Sequence, residues 1–129
     1  MQKINLKREV NGTVDALIEK ITPALQKIGF GILTRIDFHT KMKEKLNKDL
    51  SPVVILGACN PAMAYEAFMQ EPAMAGLIPC NVVLRDLGNN RVSIEITKPS
   101  AMLDLLGLAV MAKSALDADK ALQGVLEGL

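Results

Sequence analysis

The feature that most constrains the fold is an apolar segment that ends at a cysteine and a helix-start signal, residues 53–61, VVILGACNP. Its first residues are β-branched and uncharged, which is typical of a strand buried on both faces, and the run is too short for a helix. We therefore predict the central strand of a sheet here. Asn60 is a favourable N-cap, and Pro61 suits the first helical turn, where its missing N–H would be unpaired anyway. The strand should lead directly into a helix at Cys59.

Cys59 itself admits two interpretations. A thiol beside a helix N-terminus lies near the positive end of the helix dipole, and such thiols can have a depressed pKa and be reactive. Alternatively, Cys59 is a small apolar residue that packs on the first helical turn. We favour the second interpretation because free cysteine is among the most frequently buried residues, but the sequence leaves both open.

Composition excludes several classes of protein. The 129 residues suffice for a single domain, residues 1–129, that buries about two-thirds of its unfolded surface. Aromatic residues make up only 3% and the net charge is +1, so nucleic-acid binding, which needs a basic patch and often stacking side chains, is not expected. Two cysteines and one histidine are too few for a four-ligand structural zinc site. We predict no metal and no cofactor.

Targeting signals and membrane segments are also not expected. The N-terminal residues MQKINLKRE lack the apolar core of a signal peptide. The longest apolar run, residues 105–112, is far shorter than the roughly 20 residues that cross a bilayer. We therefore expect a cytoplasmic protein with reduced thiols and no membrane partner.

Hydrophobic periodicity indicates the elements of the first half. Residues 4–10 alternate as a strand, and a helix should run from its N-cap Thr13 to Gly29, with a kink or break at Pro23. Residues 30–38 predict a strand whose apolar positions 30, 32, 36 and 38 share one face. Residues 39–49 follow as an exposed, lysine-rich helix whose only inward stripe is His39, Met42 and Leu46.

The second half predicts a helix, a hairpin and two further helices. The first helix spans residues 61–69. Residues 79–86 and 91–97 form a hairpin in which Leu84 faces Ile94 across a three-residue loop, 88–90, because a one-residue slip would mix the two faces. Cys80 should point inward with Val82. A short helix over residues 100–106 and a longer one beyond Gly107 complete the chain.

Three segments in this order, GFGILTRID (29–37), LGACNP (56–61) and LIPCNVV (77–83), resemble the bacterial and archaeal domain of unknown function 302 family. The resemblance covers nearly the whole chain. It implies an α+β fold similar to the TATA-binding-protein-like class: a curved antiparallel sheet of about five strands with helices packed on it, in the order β-α-β-β-β-β-α with short helical insertions. It also implies homodimers, but no established reaction. The family pattern carries candidate ligand-binding residues onto Cys59, Asn60, Cys80, Asn81 and Asp37.

Two functions from different classes remain. The first is a non-enzymatic homodimeric module that binds a small molecule or a partner protein, since a groove between a sheet and its helices often holds apolar ligands. The second is a thiol-based redox or metal-binding protein that uses Cys59 and Cys80. A catalytic site needs a nucleophile paired with a base, and nothing in the sequence pairs His39 with either cysteine. We therefore favour the non-enzymatic function.

Three structural expectations follow from these patterns. Cys59 and Cys80 should lie near one another, because one ends a strand and the other begins the hairpin. His39 should be a capping or packed residue rather than a ligand. Residues 102–111, in which Asp104 is the only charge, should form a dimer interface, unless other helices of the same chain cover their second side.

Overall fold

A computed structural model describes residues 4–129 and contains one five-stranded antiparallel sheet. Its strands, in the spatial order β1-β5-β4-β3-β2, are β1 (Asn5–Asn11), β2 (Gly31–Asp37), β3 (Val53–Cys59), β4 (Cys80–Gly88) and β5 (Arg91–Thr97). The helices are α1 (Val14–Lys27), α2 (Phe38–Leu46), α3 (Pro61–Gln70), α4 (Pro99–Leu105) and α5 (Ala112–Glu127). Single 3₁₀ segments occupy Pro72–Leu77 and Ala109–Met111. The α+β class predicted from the sequence is confirmed.

The core lies between one face of the sheet and the helices. Alternate residues of the inner strands point to this face and are fully buried, among them Leu56, Leu84 and Ile94. Helices α1 and α5 cover them with Ile21, Leu25, Leu122 and Leu126, which are equally inaccessible to solvent. Alternation of this kind is expected of an antiparallel sheet with a single covered face. Among residues 4–129, no helix combines the length and the apolar character that crossing a bilayer requires.

The second face of the sheet carries polar and charged side chains on β1, β5 and β4. Glu95 accepts a hydrogen bond from Asn5 Nδ2 at 2.9 Å and lies 3.9 Å from the Arg85 guanidinium. Toward β3 the same face becomes apolar, with Val53 and Ile55 half-buried. The predicted burial of β3 on both faces is therefore only partly realised.

Strand β3 is an interior strand, but it is not the central one. The centre of the sheet is β4, which pairs with β3 on one side and with β5 on the other. The apolar run of residues 53–56 predicts burial but carries no information about strand order, because order depends on which non-local strands pair.

A bulge in β2 overturns the predicted facing of that strand. The register with β3 shifts between Ile32 and Thr34, so that Leu33 is an extra, exposed residue. An extra residue reverses the alternation beyond it. Ile32 therefore points toward the core opposite Ala58, whereas Ile36 lies on the opposite face beside Ile55 and is 45% exposed. The prediction that Ile32 and Ile36 share one face is wrong.

Helix α1 begins and ends where the sequence indicates. The Thr13 hydroxyl accepts a hydrogen bond from Ala16 N at 3.2 Å, and Gly29, with φ +89°, follows the helix end. The helix runs without interruption through Pro23, so the predicted break does not occur. In α2 the predicted inward stripe fails at Leu46, which is exposed, whereas His39 and Met42 are half-buried.

The hairpin register is confirmed, although its loop differs. Leu84 faces Ile94, as predicted. The connection is a two-residue turn formed by Asn89 and Asn90, both with positive φ, and a bulge between Asp86 and Gly88 takes up the extra residue. Two positive φ values define the turn type whose twist matches that of antiparallel strands.

Candidate functional site

The three segments of the family pattern meet at one end of the sheet. This end is formed by the beginning of β2, the end of β3 and the beginning of β4. Gly31 pairs with Cys59, and Ala58 pairs with Cys80. Antiparallel pairing accounts for this meeting, since one strand must start where its neighbour stops. Cys59 and Cys80 are consequently close neighbours, as the sequence predicted.

Two glycines allow the segments to touch. A Cβ atom on Gly57 would collide with Thr34 Oγ1 and would lie 2.6 Å from Cγ of Pro79. A Cβ atom on Gly29 would lie 3.3 Å from Asn60 Nδ2. The first contact joins the LGACNP segment to the LIPCNVV segment, and the second joins it to the GFGILTRID segment.

Asn60 sets the start of α3. Its Oδ1 accepts a hydrogen bond from Met63 N at 3.2 Å, and Pro61 occupies the first turn. The N-cap predicted from the sequence is therefore present. Its effect is to hold Cys59 directly before the helix, with Met63 one turn into it.

Between this sheet end, α3, α4 and residues 72–77 lies an apolar cavity of about 40 Å³. Both cysteines line it. Cys80 and most of the wall are buried, whereas six lining residues, Cys59, Met63 and Ala64 among them, are half-buried, and we call this half-buried side the mouth. The remaining lining residues are Phe30, Ala58, Asn60, Ala67, Met74, Ile78, Pro79, Pro99, Met102, Leu103 and Met111.

Both thiols in this cavity are held in the protonated form. Burial raises the pKa of the Cys59 thiol. Burial also raises the pKa of Cys80 to about 12, with smaller contributions from the charges of Cys59 and Asp119. The direction is opposite to that of a reactive thiol at a helix N-terminus. The raised pKa therefore agrees with the packing interpretation of Cys59 rather than with the reactive one.

Two of the five candidate residues lie outside the cavity. Asn81 pairs with Gly57, and its exposed side chain points to the opposite face from that of Cys80. Asp37 ends β2 roughly 20 Å from Gly31, the distance that six residues span in a strand. There Asp37 accepts hydrogen bonds from Arg35 Nε at 3.3 Å and Nη2 at 3.0 Å, and this pairing raises the pKa of Arg35. The structure therefore brings together Cys59, Asn60 and Cys80 only.

His39 lies at the same distant end of the sheet as Asp37. Its Nδ1 accepts a hydrogen bond from Val53 N at 3.0 Å, which satisfies the first N–H of β3. Because β3 is seven residues long and His39 lies at its first residue, the His39 imidazole is about 20 Å from the thiols at the other end of the strand. His39 therefore does not cap α2; it is half-buried against β3, which agrees with the packed alternative of the prediction.

The sequence does not show that the methionines of the cavity belong together. Met63, Met74, Met102 and Met111 come from four different segments of the chain, and Met102 and Met111 fall in the expected dimer interface, residues 102–111. Their only sequence signal is the high methionine count, 7 in 129 residues. Within residues 4–129, no group of three or more histidine, cysteine, aspartate or glutamate side chains is arranged to hold a metal ion.

Fold and cavity define a class of protein: a small α+β domain built on one antiparallel sheet, with an apolar cavity at the end of the sheet. The chain belongs to the family described as Domain of unknown function DUF302, whose sequence profile matches residues 6–129. Among solved structures it is similar to an uncharacterized conserved DUF302 protein from Bacillus stearothermophilus, with 25% identity and a TM-score of 0.85 over 96% of each chain. No curated protein matches it.

Proposed function

We propose that this protein is a non-enzymatic homodimeric module that holds a small ligand in the cavity beside Cys59 and Cys80. The observation that carries the proposal is the cavity itself, which is apolar, lined by residues of all three family segments, and open at a half-buried mouth. Pockets of this character, with few polar groups, are typical of binding sites.

Binding is favoured over catalysis by the state of the thiols. The raised pKa values of Cys59 and Cys80 leave little thiolate at neutral pH, and the thiolate is the nucleophilic form. Over residues 4–129, none of the side chains lining the cavity carries a carboxylate or an imidazole. The cavity wall therefore supplies no general base to either sulfur, which argues against the alternative of thiol redox chemistry.

The size of the cavity restricts the ligand. Pockets for drug-sized molecules measure about 300–1,000 Å³, and an engineered cavity that binds benzene measures roughly 150 Å³. A cavity of about 40 Å³ accommodates an ion or a molecule of a few heavy atoms. Methionine side chains have three rotatable bonds, so the wall can adjust to a slightly larger guest.

The homodimer is supported by apolar side chains that the chain leaves exposed near the cavity. Leu105 and Val110 are each 75% exposed, and Tyr65 and Met69 on α3 are similarly open. Large apolar side chains exposed to this extent are found at interaction sites when they lie together on the surface. We also propose that the protein works in the reducing cytoplasm, where two free cysteines remain thiols.

Access to the cavity is tested by titrating the protein with n-alcohols from ethanol to hexanol and recording the ¹³C-methyl signals of its methionines. We expect saturable shifts at Met63, Met74, Met102 and Met111 for the shorter alcohols. Met42 and Met69 do not line the cavity and serve as internal controls. In Ala64→Leu, which narrows the mouth, the four shifts should be lost while the fold persists. Equal shifts at all methionines, or unchanged binding in Ala64→Leu, would contradict the proposal.

A further inference from the structure

Sulfur is concentrated in this cavity to a degree that the proposed function does not explain. Both cysteines and four of the seven methionines line it. Methionine is a common gap-filler in cores, but a gap-filler need not collect on one cavity wall. Thiol and thioether sulfurs are soft donors, and together they select soft d¹⁰ cations such as Cu(I).

The other lining residues exclude harder ions. Asn60 is the only one with a side-chain oxygen, and that oxygen already accepts the hydrogen bond from Met63 N. Ca²⁺ and Mg²⁺ need several oxygen ligands, and a structural Zn²⁺ site needs four cysteine or histidine ligands. Among the described residues the cavity provides only two such ligands, Cys59 and Cys80. A monovalent ion that accepts thioether ligands is the cation that matches these donors.

Charge balance also favours a monovalent ion. The cavity is apolar, so a bound complex should carry no net charge. Cys59 is the more accessible thiol and Met63 lies beside it at the mouth. Replacing the Cys59 proton by Cu(I) forms an S–Cu bond and releases one H⁺ to solvent, with copper remaining Cu(I). The resulting thiolate complex is neutral, and the thioether ligands add no charge.

We propose that the cavity binds one soft monovalent d¹⁰ cation, Cu(I) in chemical class, through the Cys59 thiolate and the thioethers of Met63 and Met102, with Cys80 as a further sulfur donor. This inference rests on the proposed function, since it names the ligand class of the same cavity. Cys59 and Met63 at the mouth receive the ion, and Met102 and Cys80 hold it from the buried side.

The test is a Cu(I) titration of the full chain under nitrogen with ascorbate, against the chelator bathocuproine disulfonate. We expect one Cu(I) per chain, with shifts in the ¹³C-methyl signals of Met63 and Met102 and none in that of Met69. Cys59→Ala should lower the affinity by more than about 100-fold, and Met63→Leu or Met102→Leu by about tenfold, because leucine keeps the packing and removes the sulfur. Met69→Leu is the matched control on α3 and should bind as the wild type does.

Three results would overturn this inference: no retention of Cu(I) against the chelator, equal retention of Zn²⁺, or wild-type affinity in both Met63→Leu and Met102→Leu. The alcohol titration separates this failure from failure of the proposed function. Both leucine variants keep the apolar wall and should still bind alcohols. Alcohol binding without Cu(I) binding would reject only the cation, whereas Cu(I) binding without alcohol binding would reject an open cavity for organic ligands.

Discussion

Gly57 lies where β3 packs tightly against Pro79, in the segment before β4. Its backbone φ is not in the left-handed region, so the requirement for glycine comes from space rather than from conformation. Thr34 from β2 and Pro79 occupy the position that a side chain would take. A methyl group there would push apart the two segments that carry Cys59 and Cys80.

We expect Gly57→Ala to lower the free energy of unfolding by about 1–3 kcal/mol, the usual cost of overpacking. Gly31→Ala is the matched control, since a Cβ on Gly31, in the neighbouring strand, has no atom within 4 Å. The control should change stability by less than about 0.5 kcal/mol. Urea denaturation of both variants measures the difference. Equal effects of the two substitutions would show that Thr34 and Pro79 yield easily.

Cys80 should make stability fall in alkaline solution. The pKa of Cys80 is about 12 in the folded chain against an ordinary value of 9.0. Between these values the unfolded chain has lost the proton while the folded chain keeps it, so stability decreases as pH rises. The stabilisation that the protonated Cys80 thiol provides is complete below pH 9. About 2 kcal/mol of this stabilisation is lost by about pH 10.5, at about 1.4 kcal/mol per pKa unit.

Urea denaturation between pH 8 and pH 10.5 measures this loss. Alkali acts on the rest of the chain as well, so the comparison is with Cys80→Ala, which differs from the wild type only at this thiol. The wild type should lose stability more steeply than the variant. Parallel curves for the two proteins would mean that Cys80 ionises in the folded state almost as easily as in the unfolded chain.

Among the elements, β2 shows how one extra residue changes a surface. The bulge at Leu33 brings Arg35 and Asp37 to the helix side of the sheet, opposite Leu56 and Val54. There the Arg35 guanidinium also lies 3.6 Å from Asp15 at the start of α1. An edge strand tolerates such a bulge because only one of its sides is paired. The bulge therefore links the edge strand to α1 through an exposed ion pair.

The β4–β5 turn provides a prediction at this scale. Asn89 and Asn90 have φ values of 55° and 58°, and Asn-Gly is the preferred pair for such a turn. Asn90→Gly should therefore leave the free energy of unfolding unchanged or raise it by less than about 0.5 kcal/mol. Asn90→Val should lower it by about 1–2 kcal/mol. Thermal unfolding followed by circular dichroism measures both. A valine variant as stable as the glycine variant would argue against this turn geometry.

For the whole molecule, the distribution of apolar surface modifies the predicted interface. Within residues 102–111, Met102, Leu103 and Met111 are buried in the core of the same chain, and Leu108 packs against it. The alternative that the chain covers its own apolar segment thus holds for the large apolar residues other than Leu105 and Val110. Leu105 and Val110 remain exposed, so they are the positions at which the interface is tested.

We expect a dimer that the double substitution Leu105→Lys and Val110→Lys dissociates. Each buried Leu or Val contributes up to about 1.5–3 kcal/mol, so two from each copy are comparable with the estimated cost of association, about 4–15 kcal/mol. Sedimentation equilibrium at micromolar concentration measures the mass. Leu46→Lys, an exposed leucine position on α2, is the control and should remain dimeric. A 13.9 kDa wild-type species throughout would refute the dimer.

Sequence alone determined those features that depend on neighbouring residues. The Thr13 and Asn60 caps, the helix end near Gly29 and the register of Leu84 with Ile94 follow from local hydrogen bonding and from alternation. The proximity of Cys59 and Cys80 also followed, because antiparallel pairing brings the end of one strand to the start of the next.

Tertiary structure decided what depends on distant residues. The central position of β4, the bulge in β2 and the placement of Asp37 and Asn81 away from the thiols arise from strand pairing across the chain. The same is true of the sulfur-lined cavity, whose methionines come from α3, α4 and the two 3₁₀ segments. No local pattern encodes it, because methionine occurs at core positions of every kind. The raised thiol pKa values have this origin as well, since desolvation is a property of the assembled core.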